Sequence, residues 1–186
     1  MSAIKVLTIN AELESEEELV KIVEGARKYF PSETWNNIQY VGELSLKHEF
    51  QIALNEKSFG ALFFEKLLNK LERIKGANRL VNLLLGITPD PIVAFYYFFD
   101  GKNFKKSFYF IHDYVAEKTG VVSLFQVDEE MSSKVVAHGL GHNRGLRHHA
   151  EPIDFMYSGL LKSPRLKVDG FCKICIRKLT EAPPET

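Results

Sequence analysis

The sequence predicts an α/β protein folded as a single domain. Three observations carry that prediction. Short β-rich apolar runs such as Ile4–Asn10 and Arg79–Ile87 alternate with segments whose apolar residues recur every three or four positions. The chain has 186 residues, 45% of them hydrophobic, which suffices for one sizeable core. No internal repeat or low-complexity linker divides it. The natural partition lies within one domain, between residues 1–145, with the sheet and helices, and residues 146–186, which carry turns and a C-x-x-C pair.

Taken in order, Ile4–Asn10 reads as a buried strand. A helix follows from about Ser15, with Glu18 three residues on as a capping box and Leu19, Ile22, Val23, Ala26 and Phe30 as its apolar stripe; Pro31 closes it. Tyr40–Leu44 and Phe50–Leu54 read as strands. Gly60 is expected to open a second amphipathic helix, with Phe63, Phe64, Leu67, Leu68, Leu71 and Ile74 on one face and Gly76 at its end. Arg79–Ile87 is a strand broken by Pro89 and Pro91. Phe95–Phe99, the Asp100-Gly101 turn and Phe108–Ile111 predict a hairpin, whose aromatics are expected in the core. A last long helix is expected from near Asp128 to Arg144, with Val135, Val136 and Leu140 turned inward. The terminal APPET reads as a frayed tail.

Composition narrows the function classes. Lys plus Arg and Asp plus Glu balance at 24 each, so there is no global electrostatic footprint for nucleic acid. The charge is uneven in two places. ELESEEE (12–18) suits the acidic start of a helix, and Lys162 to Lys178 carries six basic residues that read as solvated surface. No apolar stretch approaches the roughly 20 residues that span a bilayer. The N-terminus opens on a strand pattern without a basic leader. Two cysteines, both in one C-x-x-C, fit a reducing interior. A cytoplasmic monomer without nucleic-acid or membrane partners is the expectation.

The chemistry is concentrated in AHGLGHNRGLRHH. His138, His142 and His148 stand in the spacing H-x-x-x-H-x-x-G-x-x-H. On a helix, residues four apart leave the same face about one turn apart, so His138 and His142 can aim at one point. Gly145 can take a positive φ, end the helix and let the chain return His148 to the same point. Three neutral imidazoles with a position left open is the coordination of a catalytic zinc. The general base of such a motif is a glutamate directly after the first histidine. Here that position is Gly139. Gly139 and Gly141 each cost a helix about 1 kcal/mol against alanine, and only a bound metal offers the sequence an obvious compensation.

At these residues the chain resembles the archaemetzincins, a family in the metzincin clan of zinc peptidases. Their pattern runs H-E-x-x-H-x-x-G-x-x-H-C, then a second Cys, a Met two residues later, and a C-x-x-C. Here His149 and Asp154 stand at the first two Cys positions, Met156 keeps its offset, and Cys172 and Cys175 form the C-x-x-C. The resemblance is specific over residues 135–179. It implies a metzincin-like single domain, with a mixed, twisted sheet, helices packed against it, a helix carrying the histidines and a small C-terminal subdomain, and with Met156 as an apolar floor beneath the histidines. It also implies that strand-like segments 81–90 and 93–102 belong to the family's sheet, and that GVVSLF (120–125) is the substrate-facing edge strand. Tyr157 follows Met156 and is a weaker candidate to reach the metal or a substrate oxygen.

A second metal site follows from the same comparison. The family holds a structural zinc with four cysteines, and this chain has only two. His149, Asp154, Cys172 and Cys175 would supply one N, one O and two S donors, all acceptable to zinc. A disulfide or redox pair, or two free buried thiols, are the alternatives for the cysteines. Asp154, before a turn, could instead bond nearby amides.

Two zinc ions per chain are therefore expected, with a peptide or protein as substrate or ligand. Zinc would lower the pKa of bound water towards 7 and polarise a scissile carbonyl. Without a glutamate at 139, the proton-transfer contribution of about 10²–10⁴-fold is lost or comes from elsewhere. Glu129 and Glu130 lie too far up the helix, and Glu151 is the remaining carboxylate nearby in sequence. The reading is a zinc metallopeptidase homologue, weakened or inactive through Gly139. The alternative is a non-catalytic zinc-binding module that captures peptides or a protein. Restoring the motif with Gly139→Glu is expected to raise activity.

Overall fold

The computed structural model describes residues 3–11, 13–160 and 168–181. A five-stranded sheet is its centre, in the order β2-β1-β5-β9-β8. The strands are β1 (Ala3–Ile9), β2 (Asn37–Leu44), β5 (Leu83–Thr88), β9 (Thr119–Ser123) and β8 (Asp113–Val115). The first four run parallel and β8 alone is antiparallel, against β9. A smaller sheet in the order β3-β4-β6-β7 stands beside it. It contains β3 (Phe50–Leu54), β4 (Lys57–Phe63), β6 (Ile92–Phe99) and β7 (Phe104–Ile111).

Both faces of the large sheet are covered at β1, β5 and β9, which explains why these strands read as continuous apolar runs. One face presents Ile4, Val6, Leu85 and Val122 to α1 (Leu13–Arg27) and α3 (Glu129–Asn143). The other presents Leu7, Ile9, Leu84 and Val121 to α2 (Phe64–Ala77). This is the period-2 alternation of a strand, used on two buried sides. A short α4 (Lys173–Glu181) closes the described chain.

The expected stripe of α1 holds for Leu19, Val23 and Ala26, which are buried; the helix ends at Arg27, short of the expected Pro31, and the buried Phe30 lies in the turn after it. The helix starts at Leu13, so Ser15 lies inside its first turn; the side chains of residues 12–16 are outside the described residues. The basic stretch is described only from residue 168, and the APPET tail lies outside the described residues.

Two expectations are corrected here. The second helix begins at Phe64, because residues 57–63 form β4 and pair with β3. Asn55 and Glu56 both take positive φ, +48° and +65°, making the two-residue turn that suits a hairpin's twist. The aromatic hairpin forms, with Ile92 opposite Ile111 and Phe99 opposite Phe104. Only part of its aromatic set reaches the core: Phe110 packs on a buried cluster, but the far rings do not. Ile92–Ala94 are buried, whereas Tyr97 and Phe104 are 69% and 78% exposed. The far half of the hairpin extends beyond the sheet that would cover it, and its rings pack on one another, as Phe99 does on Phe104.

The edge strand is also corrected. Residues 120–123 lie in β9, fully buried between β5 and β8. The strand at the sheet margin is β8, which follows β7 directly in the chain.

Candidate metal centre

Helix α3 runs from the Asp128 cap to Arg144, as the spacing predicts. Val135, Val136 and Leu140 are buried against the large sheet, which leaves His138 and His142 on the face towards the C-terminal segment. The helix ends in paired bonds, from the Gly145 amide to the His142 carbonyl and from the Leu146 amide to the Gly141 carbonyl. Gly145 has φ +79°, the left-handed conformation that this ending requires. The chain then reverses and delivers His148.

The three Nε2 atoms form a near-equilateral triangle of 2.9, 3.0 and 3.1 Å. Zinc–nitrogen bonds of ~2.0–2.1 Å at tetrahedral angles would set the nitrogens ~3.3 Å apart, so the triangle fits such an ion after a slight opening. The tautomers fit as well. His138 Nδ1 donates to the Phe155 carbonyl at 2.5 Å and His142 Nδ1 to the Leu146 carbonyl at 3.0 Å. A ring whose Nδ1 carries the proton keeps a lone pair on Nε2, the form a metal binds. Burial drives His138 down to about 4, despite its bond to Phe155, and also lowers His142. His138 is buried, His142 half-buried and His148 exposed, so the triangle opens to solvent on the side of His148.

Met156 lies directly under the helix. A Cβ on Gly141 would stand 2.7 Å from its Sδ and 3.2 Å from a ring carbon of Phe171. The glycine is thus explained by packing rather than by a metal, which corrects the expectation that only an ion could offset its cost. The same holds for Gly139, where a Cβ would meet Val115 Cγ2 at 2.9 Å and Asp113 Cβ and Oδ2 at 3.2 Å each.

His148 and His149 are adjacent, and their rings serve opposite sides of one extended stretch, as neighbouring residues in a strand do. His149 is bridged to Tyr157, with its amide on the Met156 carbonyl and its own carbonyl taking the Ser158 amide. Its Nε2 lies 2.7 Å from Asp154 Oδ1 and 4.0 Å from Cys175 Sγ. One donor atom from each of His149, Asp154, Cys172 and Cys175 falls within 4.8 Å of all the others. Both cysteines are free thiols, and Cys172 directly precedes α4. Asp154 is completely buried and also bonds amides, taking Met156 N–H on Oδ1 at 2.7 Å and Cys172 N–H on Oδ2 at 2.9 Å. Burial pushes its carboxyl up, but these bonds from Cys172, Cys175 and Met156 hold it below the usual range. Burial raises the Cys175 thiol, beside Asp154 and Cys172. A divalent ion would relieve this crowding of electron-rich atoms, and carboxylate, imidazole and thiol are all zinc donors.

His138 and His148 line a cavity of about 580 Å³, walled by β7, β8 and the 157–160 turn. Tyr157 also lines it. Two lining residues escaped sequence reasoning, His112 and Asp113. Nδ1 of His112 is buried without a hydrogen-bond partner among the described residues. Asp113 is pushed up to about 6 by burial, opposed by the nearby His142, His148 and His112. Nothing in the local pattern IHDYV marks either one. Glu151, the carboxylate that sequence proximity suggests, is exposed.

A central mixed sheet, one long helix bearing two histidines, a glycine turn to the third and a methionine beneath them form the frame of the site. More particularly, the chain has an archaemetzincin-like fold. It is similar to an archaemetzincin from Methanopyrus kandleri, at 21% identity over 97% of this chain and 94% of that one, with a TM-score of 0.62. A zinc-dependent peptidase from Methanocorpusculum labreanum is similar at 16% identity and TM-score 0.62, over 95% and 99% of the two chains. An archaemetzincin from Archaeoglobus fulgidus, complexed with malonate, is similar at 17% identity and TM-score 0.55, again over 95% and 99%. No protein-family model matches the sequence, and no curated protein matches it. Among the described residues no helix is long and apolar enough to cross a membrane.

Proposed function

We propose that this protein is a zinc-dependent peptidase in which His138, His142 and His148 hold the reactive ion, while His149, Asp154, Cys172 and Cys175 hold a second, structural one. The observation that carries the reading is the Nε2 triangle of 2.9–3.1 Å, two of whose residues, His138 and His148, line a cavity beside the marginal strand β8. An ion held by these three histidines would supply Lewis acidity.

The chain's own residues do the rest. The backbone of β8 is suited to take an extended peptide as an added strand, with main-chain bonds for affinity. Apolar lining residues such as Ile111 and Leu160 receive side chains. The carbonyls of Phe155 and Leu146 fix the tautomers of His138 and His142. Met156 and Phe155, both fully buried, keep the floor of the site rigid.

Gly139 favours one other reading, a peptide-capturing module without turnover. The test is cleavage of a denatured protein mixture by zinc-loaded protein, alongside chelated protein and His142→Ala. Zinc-dependent cleavage, lost in both controls, supports the peptidase. Zinc-dependent retention of peptides without cleavage supports the module.

A further inference from the structure

We propose that Asp113, delivered from β8, is the catalytic carboxylate that takes the place of the glutamate absent at position 139. The inference rests on the peptidase reading and deepens it.

The argument is steric first. Glutamate at 139 would begin from a Cβ, and the position of that Cβ lies 3.2 Å from both Oδ2 and Cβ of Asp113 and 2.9 Å from Val115 Cγ2. The space at the root of the missing side chain is therefore filled by another carboxylate. The glycine and the aspartate are complementary: helix α3 gives up a side chain at 139, and β8 inserts one from across the interface. A carboxylate is thereby kept beside position 139, supplied by the strand instead of the helix. Neither glutamate of the first helical turn nor Glu151 has such a position; Glu129 and Glu130 sit at the far end of α3, and Glu151 is exposed.

The second argument is placement relative to the cage. Asp113 lines the same cavity as His138 and His148. Its support is firm for a residue on a marginal strand. Asp113 pairs with Val122, and Val115 pairs with Gly120 in the buried β9. The Asn143 side-chain amide at the end of α3 donates to the carbonyls of Ala116 and Glu117, at 2.6 and 3.0 Å, tying the helix to the turn that follows β8. The strand carrying the carboxylate is thus held to the helix carrying the histidines.

The step assigned to Asp113 balances simply. Its carboxylate accepts a proton from water as the water oxygen bonds to the scissile carbonyl carbon. It then gives that proton to the amide nitrogen as the C–N bond breaks, and returns to its starting state. No oxidant or further reactant is consumed.

The test compares wild type with the isosteric Asp113→Asn by zinc content, by the melting temperature of the metal-free proteins and by peptide cleavage. Unchanged zinc content with cleavage lowered about 10²–10⁴-fold is expected for loss of a proton-transfer group. A folded Asp113→Asn protein with full zinc that cleaves as fast as wild type overturns the proposal. Wild type that binds zinc and cleaves nothing fails at the earlier step, overturning the peptidase reading and the role of Asp113 with it. A metal-free cycle of Gly139→Ala and Asp113→Gly supplies a readout independent of turnover. Gly139→Ala should lower the melting temperature less when Asp113 is glycine than when it is present. Strict additivity would show that the two positions do not share one space, and would overturn the exchange of carboxylates.

Discussion

Met156 Sδ sits where a side chain on Gly141 would have to begin, 2.7 Å from the position of its Cβ. The contact joins the helix carrying two histidines to the turn carrying the methionine, and it makes the glycine a packing residue. Gly141→Ala should therefore destabilise the protein even though alanine is the better helix former. The propensity gain is about 1 kcal/mol, and crowding in a close-packed core costs about 1–3 kcal/mol. Urea unfolding of the two metal-free proteins checks the sign. A more stable variant would mean that Met156 moves aside freely.

Gly139→Glu is expected to lose stability and to gain no activity, reversing what the motif alone suggests. The motif alone leaves position 139 as an empty socket, whereas Val115 and Asp113 occupy it. Thermal melting and cleavage assays on this one variant decide the matter. Clearing the space with Val115→Ala and Asp113→Ala should restore stability to the glutamate variant.

Cys172→Ser should lower the melting temperature of the zinc-loaded protein more than His142→Ala does. The four-donor cluster ties the start of α4 to the 149–154 segment, so an ion there contributes directly to folding. The triangle lies on α3, whose packing is already set by Val135, Val136 and Leu140. Equal losses, measured by calorimetry, would contradict this division of labour.

The metal-free protein should lose stability in acid through His138. Its folded-state value, lowered to about 4 by burial, lies below the 6.5 of an unperturbed histidine. The unfolded chain therefore binds more protons between these values. Stability is fully present above pH 6.5 and is lost as pH falls towards 4, by roughly 3 kcal/mol for the whole shift. Asp113 works in the opposite sense. Burial raises it from 3.8 to about 6, so its destabilising charge is relieved as pH falls through that window. Asp113→Asn should accordingly stabilise metal-free protein at pH 7 and steepen the loss in acid. Melting curves from pH 4.5 to 7 follow both effects.

Much of the site was legible in the sequence because its signals are local. The bounds of α3, the positive φ at Gly145 and the gathering of His138, His142 and His148 all follow from spacing within one short segment. The four residues of the second cluster were found through the family resemblance, across a separation that no periodicity spans. What escaped was tertiary. The margin of the sheet falls on β8 rather than β9, because strand order depends on pairings between distant segments. Asp113 is an ordinary residue in its own neighbourhood and gains meaning only beside Gly139. The hairpin aromatics failed for a related reason: periodicity and composition identify a strand, but not how far it projects past its sheet.

The most direct measurement is zinc per chain in untagged protein purified without added metal, for wild type, His142→Ala and Cys172→Ser. Two separate cages predict close to two ions for wild type and close to one for each variant. One ion or fewer in the wild type, or two retained in either variant, would contradict the account.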